Sequence, residues 1–170
     1  MDYVVIAGLV RSPMGVFQSI YAPGAKKRWS MPKEADIAGC KVVAIDPYFM
    51  EETQAAAELC VKYKKPFVTI DSQHDSYLHQ NCAINVVSKE CTGAPEYRGK
   101  TSEEIYELLT ATTDGLVIIT GGEKDMLYGR KGQPMKRMKP FDVEVRSTLG
   151  AGDTFKAGCV YGLLHGMTDD

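Results

Sequence analysis

Three short polar stretches carry the residue types that could do chemistry. The sharpest is Ser147-Thr148-Leu149-Gly150-Ala151-Gly152-Asp153-Thr154-Phe155, where small residues meet an aspartate just as helical spacing begins (Phe155, Gly158, Cys159, Gly162, Leu163). Glycines let a backbone approach a ligand closely, and the first N–H groups of a helix lack internal acceptors. Such a terminus attracts an anion, above all a phosphate. Asp153 could cap the helix or accept a proton from a group held there, and the residues alone leave both roles open. Upstream, Thr120-Gly121-Gly122-Glu123-Lys124 follows an apolar run, and so does Ser88-Lys89-Glu90-Cys91-Thr92. Asp46 and Asp71 also stand just past the last apolar residue of a strand-like run.

The elements that must position these groups alternate regularly. Residues 3–10 and 16–21 read as a two-strand hairpin broken by Pro23-Gly24, and Lys26-Lys27-Arg28-Trp29 as a solvated turn. Ser30 and Pro32 open a brief helix that Gly39 closes. Strands are predicted at 41–46, 67–71, 83–88 and 116–120, with helices at 51–65 and 76–80 between them. A further helix opens on a capping box of Thr101 or Ser102 with Glu104. A second hairpin is predicted from 126–128, through a turn at 129–132, then a strand toward 143–145. Strands alternating with helices imply right-handed crossovers, a mostly parallel sheet covered on both faces, and sites at the carboxyl ends of the strands.

Composition limits the partners. At 170 residues the chain is one domain's worth, with 44% hydrophobic and 25% charged residues, which is ordinary for a globular protein. A net charge of −2 argues against nucleic acid as a partner. No apolar run reaches the length of a membrane span, so no membrane association is expected. Five scattered cysteines suit reduced thiols, and a cytoplasmic location is expected on that ground. His74, His79, Cys82 and Cys91 match no common zinc spacing.

With these residues in place, the chain resembles the ribokinase-like (PfkB) carbohydrate kinase family. The string at 150–155, with Thr148 before it, is similar to that family's C-terminal signature, and Thr120, Gly122, Glu123 and Lys124 to its nucleotide-phosphate loop. Ala22-Pro23-Gly24-Ala25 resembles a Pro-Gly-Ala-Asn stretch of the family. Ser147 and Lys26 stand where the family usually has Asp and Asn, and Asp125 replaces a frequent glycine. Ser88-Lys89-Glu90 takes the place of an Asn-x-x-Glu motif and resembles a variant found in some sugar kinases.

The resemblance implies a three-layer ribokinase-like, Rossmann-like α/β fold, incomplete at both ends, in a single domain over 1–170. It implies the C-terminal phosphoryl-transfer portion of a longer sugar kinase, without the lid and most sugar-binding residues, so that the chain by itself is expected to be inactive. It further implies ATP and Mg2+ as cofactors and a small-molecule sugar as substrate, with a homodimer for the longer protein. Asp153 would be the general base, and Gly150, Ala151, Gly152 and Asp153 the anion hole. Thr120, Gly122, Glu123, Lys124, Lys89 and Thr148 would hold the nucleotide. Glu90 would be a magnesium ligand or merely a solvated first-turn glutamate. A nucleoside kinase and a non-catalytic nucleotide-binding module are the alternatives.

Overall fold

The structure is a computed structural model that describes residues 3–6, 31–49 and 51–170. One seven-stranded sheet runs in chain order: β1 (Tyr3–Ile6), β2 (Val42–Ile45), β3 (Phe67–Ile70), β4 (Ile84–Val87), β5 (Leu116–Ile119), β6 (Met126–Gly129) and β7 (Lys136–Met138). β1 to β5 are parallel, and β6 and β7 complete the edge as an antiparallel hairpin. β2, β4 and β5 are buried at every position, as a doubly covered parallel sheet requires; β2 and β5 are wholly apolar, and β4 carries the hydrogen-bonded Asn85. Among the described residues, no helix is long and apolar enough to cross a membrane.

The helices are α1 (Glu34–Gly39), α2 (Glu51–Lys62), α3 (Tyr77–Asn81), α4 (Lys89–Thr92), α5 (Ser102–Thr112) and α6 (Ala151–Leu164). Strand order equals chain order, so right-handed crossovers always step the same way and put their helices on one face. Packing agrees. Ile37 of α1, Ala56, Ala57 and Cys60 of α2, and Leu78 of α3 pack on Val43, Ile45 and Phe67. Ile105 and Leu109 of α5 pack on Val87, Val117 and Ile119 of the same face. The opposite face (Val42, Ala44, Val68, Val86, Ile118) is left for α6, whose Val160 is buried there with Phe155, Cys159 and Leu163 beside it. Three layers result.

The expected elements form within a few residues of their predicted places, and the α5 capping box uses Thr101: its hydroxyl accepts from Glu104 N–H while Glu104 accepts from Thr101 N–H. Two expectations need correction. The second hairpin strand ends at Met138 and does not reach 143–145. Phe141, Val143 and Val145 alternate as a strand would, but Pro140 removes a donor and no strand among the described residues pairs with them, and they are exposed. α1 begins at Glu34, capped by Lys33, later than Pro32 suggested. Residues 3–6 pair in parallel with β2. The expected partner strand at 16–21, Ala22 to Ala25 and the turn from Lys26 lie outside the described residues.

Candidate functional site

The turn before α6 has the conformation its glycines suggested. Gly150 is left-handed (φ 78°) and serves as N-cap. Ala151 N–H is already used, donating to Thr148 C=O at 3.1 Å, and Thr154 donates through both N–H and Oγ1 to Gly150 C=O at 2.9 Å. No acceptor among the described residues takes the N–H groups of Gly152 and Asp153, which leaves two donors at a helix N-terminus. A Cβ on Gly152 would lie 3.5 Å from Ile70 Cδ1, so the turn rests against the carboxyl end of β3. Asp153 and Thr148 are exposed. Ser147 Oγ accepts from Leu149 N–H at 3.2 Å.

What fixes this turn on the sheet is a group no motif announced. Lys156, one helical turn after Asp153, is 5% exposed, and its Nζ makes an ion pair with the carboxylate of Asp46 just past β2. Asp46 is also buried, and its backbone carbonyl accepts from Thr53 Oγ1 at 2.7 Å. A buried charge of this kind persists only because it is paired.

The second corner lies at the carboxyl end of β5. Thr120 donates from N–H and Oγ1 to Val87 C=O, at 2.9 and 3.3 Å, tying the loop to β4. A Cβ on Gly121 would stand 2.6 Å from Lys124 C=O and 2.7 Å from Asp125 C=O, and Gly122 is left-handed (φ 66°). These two positions need glycine for different reasons: the first for space, the second for conformation. The tight loop opens onto a cavity of about 580 Å3, whose lining includes Lys89, Thr120, Gly121, Lys124 and Arg137. Gly122 and Glu123 are exposed and do not line it.

Between the corners, Asp71 organises the start of α4. It is a non-glycine residue in the left-handed region (φ 49°), which turns its carboxylate back onto Ser88: Oδ1 accepts from Ser88 N–H at 2.6 Å and Oδ2 from Ser88 Oγ at 3.1 Å. Ser88 Oγ in turn accepts from Cys91 N–H as the cap of α4. Lys89 and Glu90 are aimed through this chain of bonds. Burial pushes the Asp71 carboxyl up, the bonds from Ser88 oppose that, and the charge of Glu90 adds to the rise. Burial and the Asp71 charge push the Cys91 thiol up to about 12, which leaves it a poor nucleophile.

The structure thus brings Lys89, Thr120 and Lys124 to one cavity and sets Gly150 to Asp153 at the same sheet edge. The two corners remain separate: β3 and β5 are two strand spacings apart, roughly 10 Å, and the α6 turn does not line the cavity. Glu90 is exposed and outside the cavity lining as well. Among the described residues, no three His, Cys, Asp or Glu side chains gather as a metal cage. His79 is a core histidine: Nδ1 meets Asn85 Nδ2 at 2.8 Å and Nε2 meets Leu109 C=O at 2.9 Å. Sequence reasoning passed over Lys156, although a lysine between Phe155 and Cys159, on the side of the helix that must face the sheet, was a visible signal. It also passed over Arg137.

Comparison with known proteins agrees with the fold. The adenosine kinase from Sinorhizobium meliloti has the same fold (TM-score 0.66, 19% identity), with 81% of this chain covering 46% of that one. The Anopheles gambiae adenosine kinase, solved with P1,P4-di(adenosine-5) tetraphosphate, gives 0.66 and 19%, over 79% and 47% of the two chains. Arabidopsis thaliana ribokinase, solved with ribose and ATP, gives 0.66 and 18%, over 84% and 50%. The chain therefore spans about half the length of these structures. No curated protein sequence matched it significantly. The sequence profile of the pfkB family carbohydrate kinases matches residues 51–170. The chain belongs to the PfkB family of carbohydrate kinases.

Proposed function

We propose that this chain is the phosphoryl-transfer portion of an ATP-dependent kinase that phosphorylates a sugar hydroxyl. The observation that carries the reading is the α6 turn: two uncommitted N–H groups and an exposed aspartate at one helix mouth, locked to the sheet edge that also bears the β5 cavity. Phosphoryl transfer needs positioning and charge neutralisation more than covalent chemistry by the protein. Asp153 accepts the proton of the attacking hydroxyl. Gly152 and Asp153 N–H hold charge that develops on the transferred group. The Ala151 N–H, committed to Thr148, shapes the turn instead.

A polyphosphate fits the other corner. Lys89 and Lys124 supply positive charge, and the volume of about 580 Å3 admits a phosphate tail. Thr120 donates to the β4 carbonyl and fixes the loop, and Gly122 and Glu123 hold its turn from outside the lining. Magnesium on a nucleotide keeps several waters and takes only one or two protein carboxylates, so the want of a three-residue cage is compatible with it, and Glu90 is the carboxylate we assign to it. When bound, magnesium neutralises phosphate charge.

In this reading most of the acceptor site comes from chain outside the 170 residues, so the chain alone binds ATP and turns over no sugar. A nucleoside acceptor is the second reading, since adenosine kinase and ribokinase folds match with equal TM-scores. A nucleotide-binding module without activity is the third, favoured by Ser147 and the 88–92 stretch. The deciding experiment measures ADP release over a panel of sugars and nucleosides, in a polypeptide that carries this chain at the length of its relatives. Asp153→Asn should lower turnover at least about a hundredfold with ATP affinity nearly unchanged. Near-normal turnover by that variant would exclude Asp153 as the base.

A further inference from the structure

The cavity beyond β5 contains an internal contest for one cation. Arg137 reaches it from β7, and its Nη2 donates to Oε1 of Glu103, in the first turn of α5, at 2.6 Å. Both side chains line the cavity together with Lys89 and Lys124, and each is about half exposed, at 48% and 45%. Three elements therefore deliver three cations to one space, and one of the three is held by a carboxylate that faces the same space. A guanidinium has five N–H donors in a planar fork suited to phosphate oxygens. Glu103 occupies part of that fork, and the bond from Arg137 holds its carboxyl below the usual carboxylate range.

We propose that Arg137 is a further polyphosphate-binding residue of this cavity, and that Glu103 is its resident competitor. An incoming phosphate takes over the guanidinium and displaces the carboxylate, so Glu103 sets affinity below what three cations would give. The ligand class is a polyphosphate tail, and the effect grows with the number of phosphates because a short tail need not reach Arg137. The inference rests on the phosphate-binding reading of the same cavity.

A plain strap between β7 and α5 would behave differently. Removing either partner of a strap loosens the cavity, and both substitutions change affinity in the same direction. A resident competitor gives opposite signs. The test is calorimetric titration of the full chain, and of its Arg137→Met, Arg137→Lys and Glu103→Gln variants, with ATP, ADP, AMP and inorganic tripolyphosphate. Thermal melts confirm that each variant is folded. Arg137→Met should weaken ATP and tripolyphosphate about tenfold, the usual loss for a charge-assisted hydrogen bond, with little effect on AMP. Arg137→Lys should recover part of that. Glu103→Gln should tighten both polyphosphates severalfold.

Loss of affinity in both Arg137→Met and Glu103→Gln, or equal effects on ATP and AMP, overturns the proposal. So does a wild-type chain that binds neither ATP nor tripolyphosphate. Binding of tripolyphosphate with the opposite-sign pattern, but no preference for ATP, upholds it and defeats the nucleotide reading instead.

Discussion

At the carboxyl end of β5 the chain builds a walled cavity from neighbouring pieces: a strand, the glycine loop that follows it, the hairpin after that, and the adjoining starts of α4 and α5. At β3 and β2, two and three strands away, it leaves an open helix mouth held in part by an ion pair between residues 110 apart in sequence. The first corner is shaped by short-range backbone geometry, with Thr120 bonded to the adjacent strand and Gly121 fitted under two carbonyls. The second is turned locally by the bonds to Thr148 and Gly150, and is seated on the sheet by the apolar face of α6 together with the distant pairing of Lys156 and Asp46. In the proposed reading, binding and chemistry thus have separate mechanical foundations. A ligand could be held firmly at one corner while the other is misplaced.

The largest test removes the long-range anchor. Lys156→Met leaves the Asp46 charge buried without its partner, and loss of one member of a buried pair costs about 3–5 kcal/mol. Denaturant melts should show that loss, and the double variant Asp46→Leu/Lys156→Met should recover most of it. If the single variant is as stable as the parent chain, the anchor is not what holds α6.

A smaller effect is expected at the first corner. Gly121→Ala forces a methyl against the carbonyls of Lys124 and Asp125 and should cost about 1–3 kcal/mol as overpacking. It should weaken tripolyphosphate binding while α6 keeps its protection in amide exchange. Loss of protection in α6 would show that the two corners are coupled after all.

The smallest lies far from both corners. Asp169 accepts from Arg130 at 2.7 and 3.0 Å, and these bonds hold its carboxyl below the ordinary range. The sign follows: the contribution is present above the unfolded value of about 3.9 and fades as pH falls through the lower folded value. Asp169→Asn should make acid unfolding between about pH 5 and 3 slightly less steep. Phosphate binding at neutral pH should not change. A steeper acid limb in the variant would contradict the assignment.

The sequence revealed what is periodic or local. Short, mostly apolar stretches marked β2 to β5, and Thr101 with Glu104 marked the start of α5, because each depends on neighbours in the chain. The turn at Gly150 was legible for the same reason. Lys156 with Asp46, and Arg137 with Glu103, were not: each is a tertiary meeting that no spacing encodes. Phe141, Val143 and Val145 have the alternation of a strand but lack a partner strand, and alternation alone cannot supply one. The left-handed Asp71 was visible as an acid at a strand end, but its bond to Ser88 was not.

Strand order that follows chain order has a consequence for how the molecule comes together during synthesis. Each parallel strand adds beside the one before it in the chain, yet every such pairing waits on a crossover, so the sheet and the β5 cavity assemble by the slow route of parallel pairing. Among the described residues, α6 is the helix that returns over the opposite face to reach β2 and β3. Every residue of the cavity lining is therefore made before the helix mouth. Asp153 follows the other candidate site residues in the chain, and release of its helix would uncover the apolar face of β2 to β5.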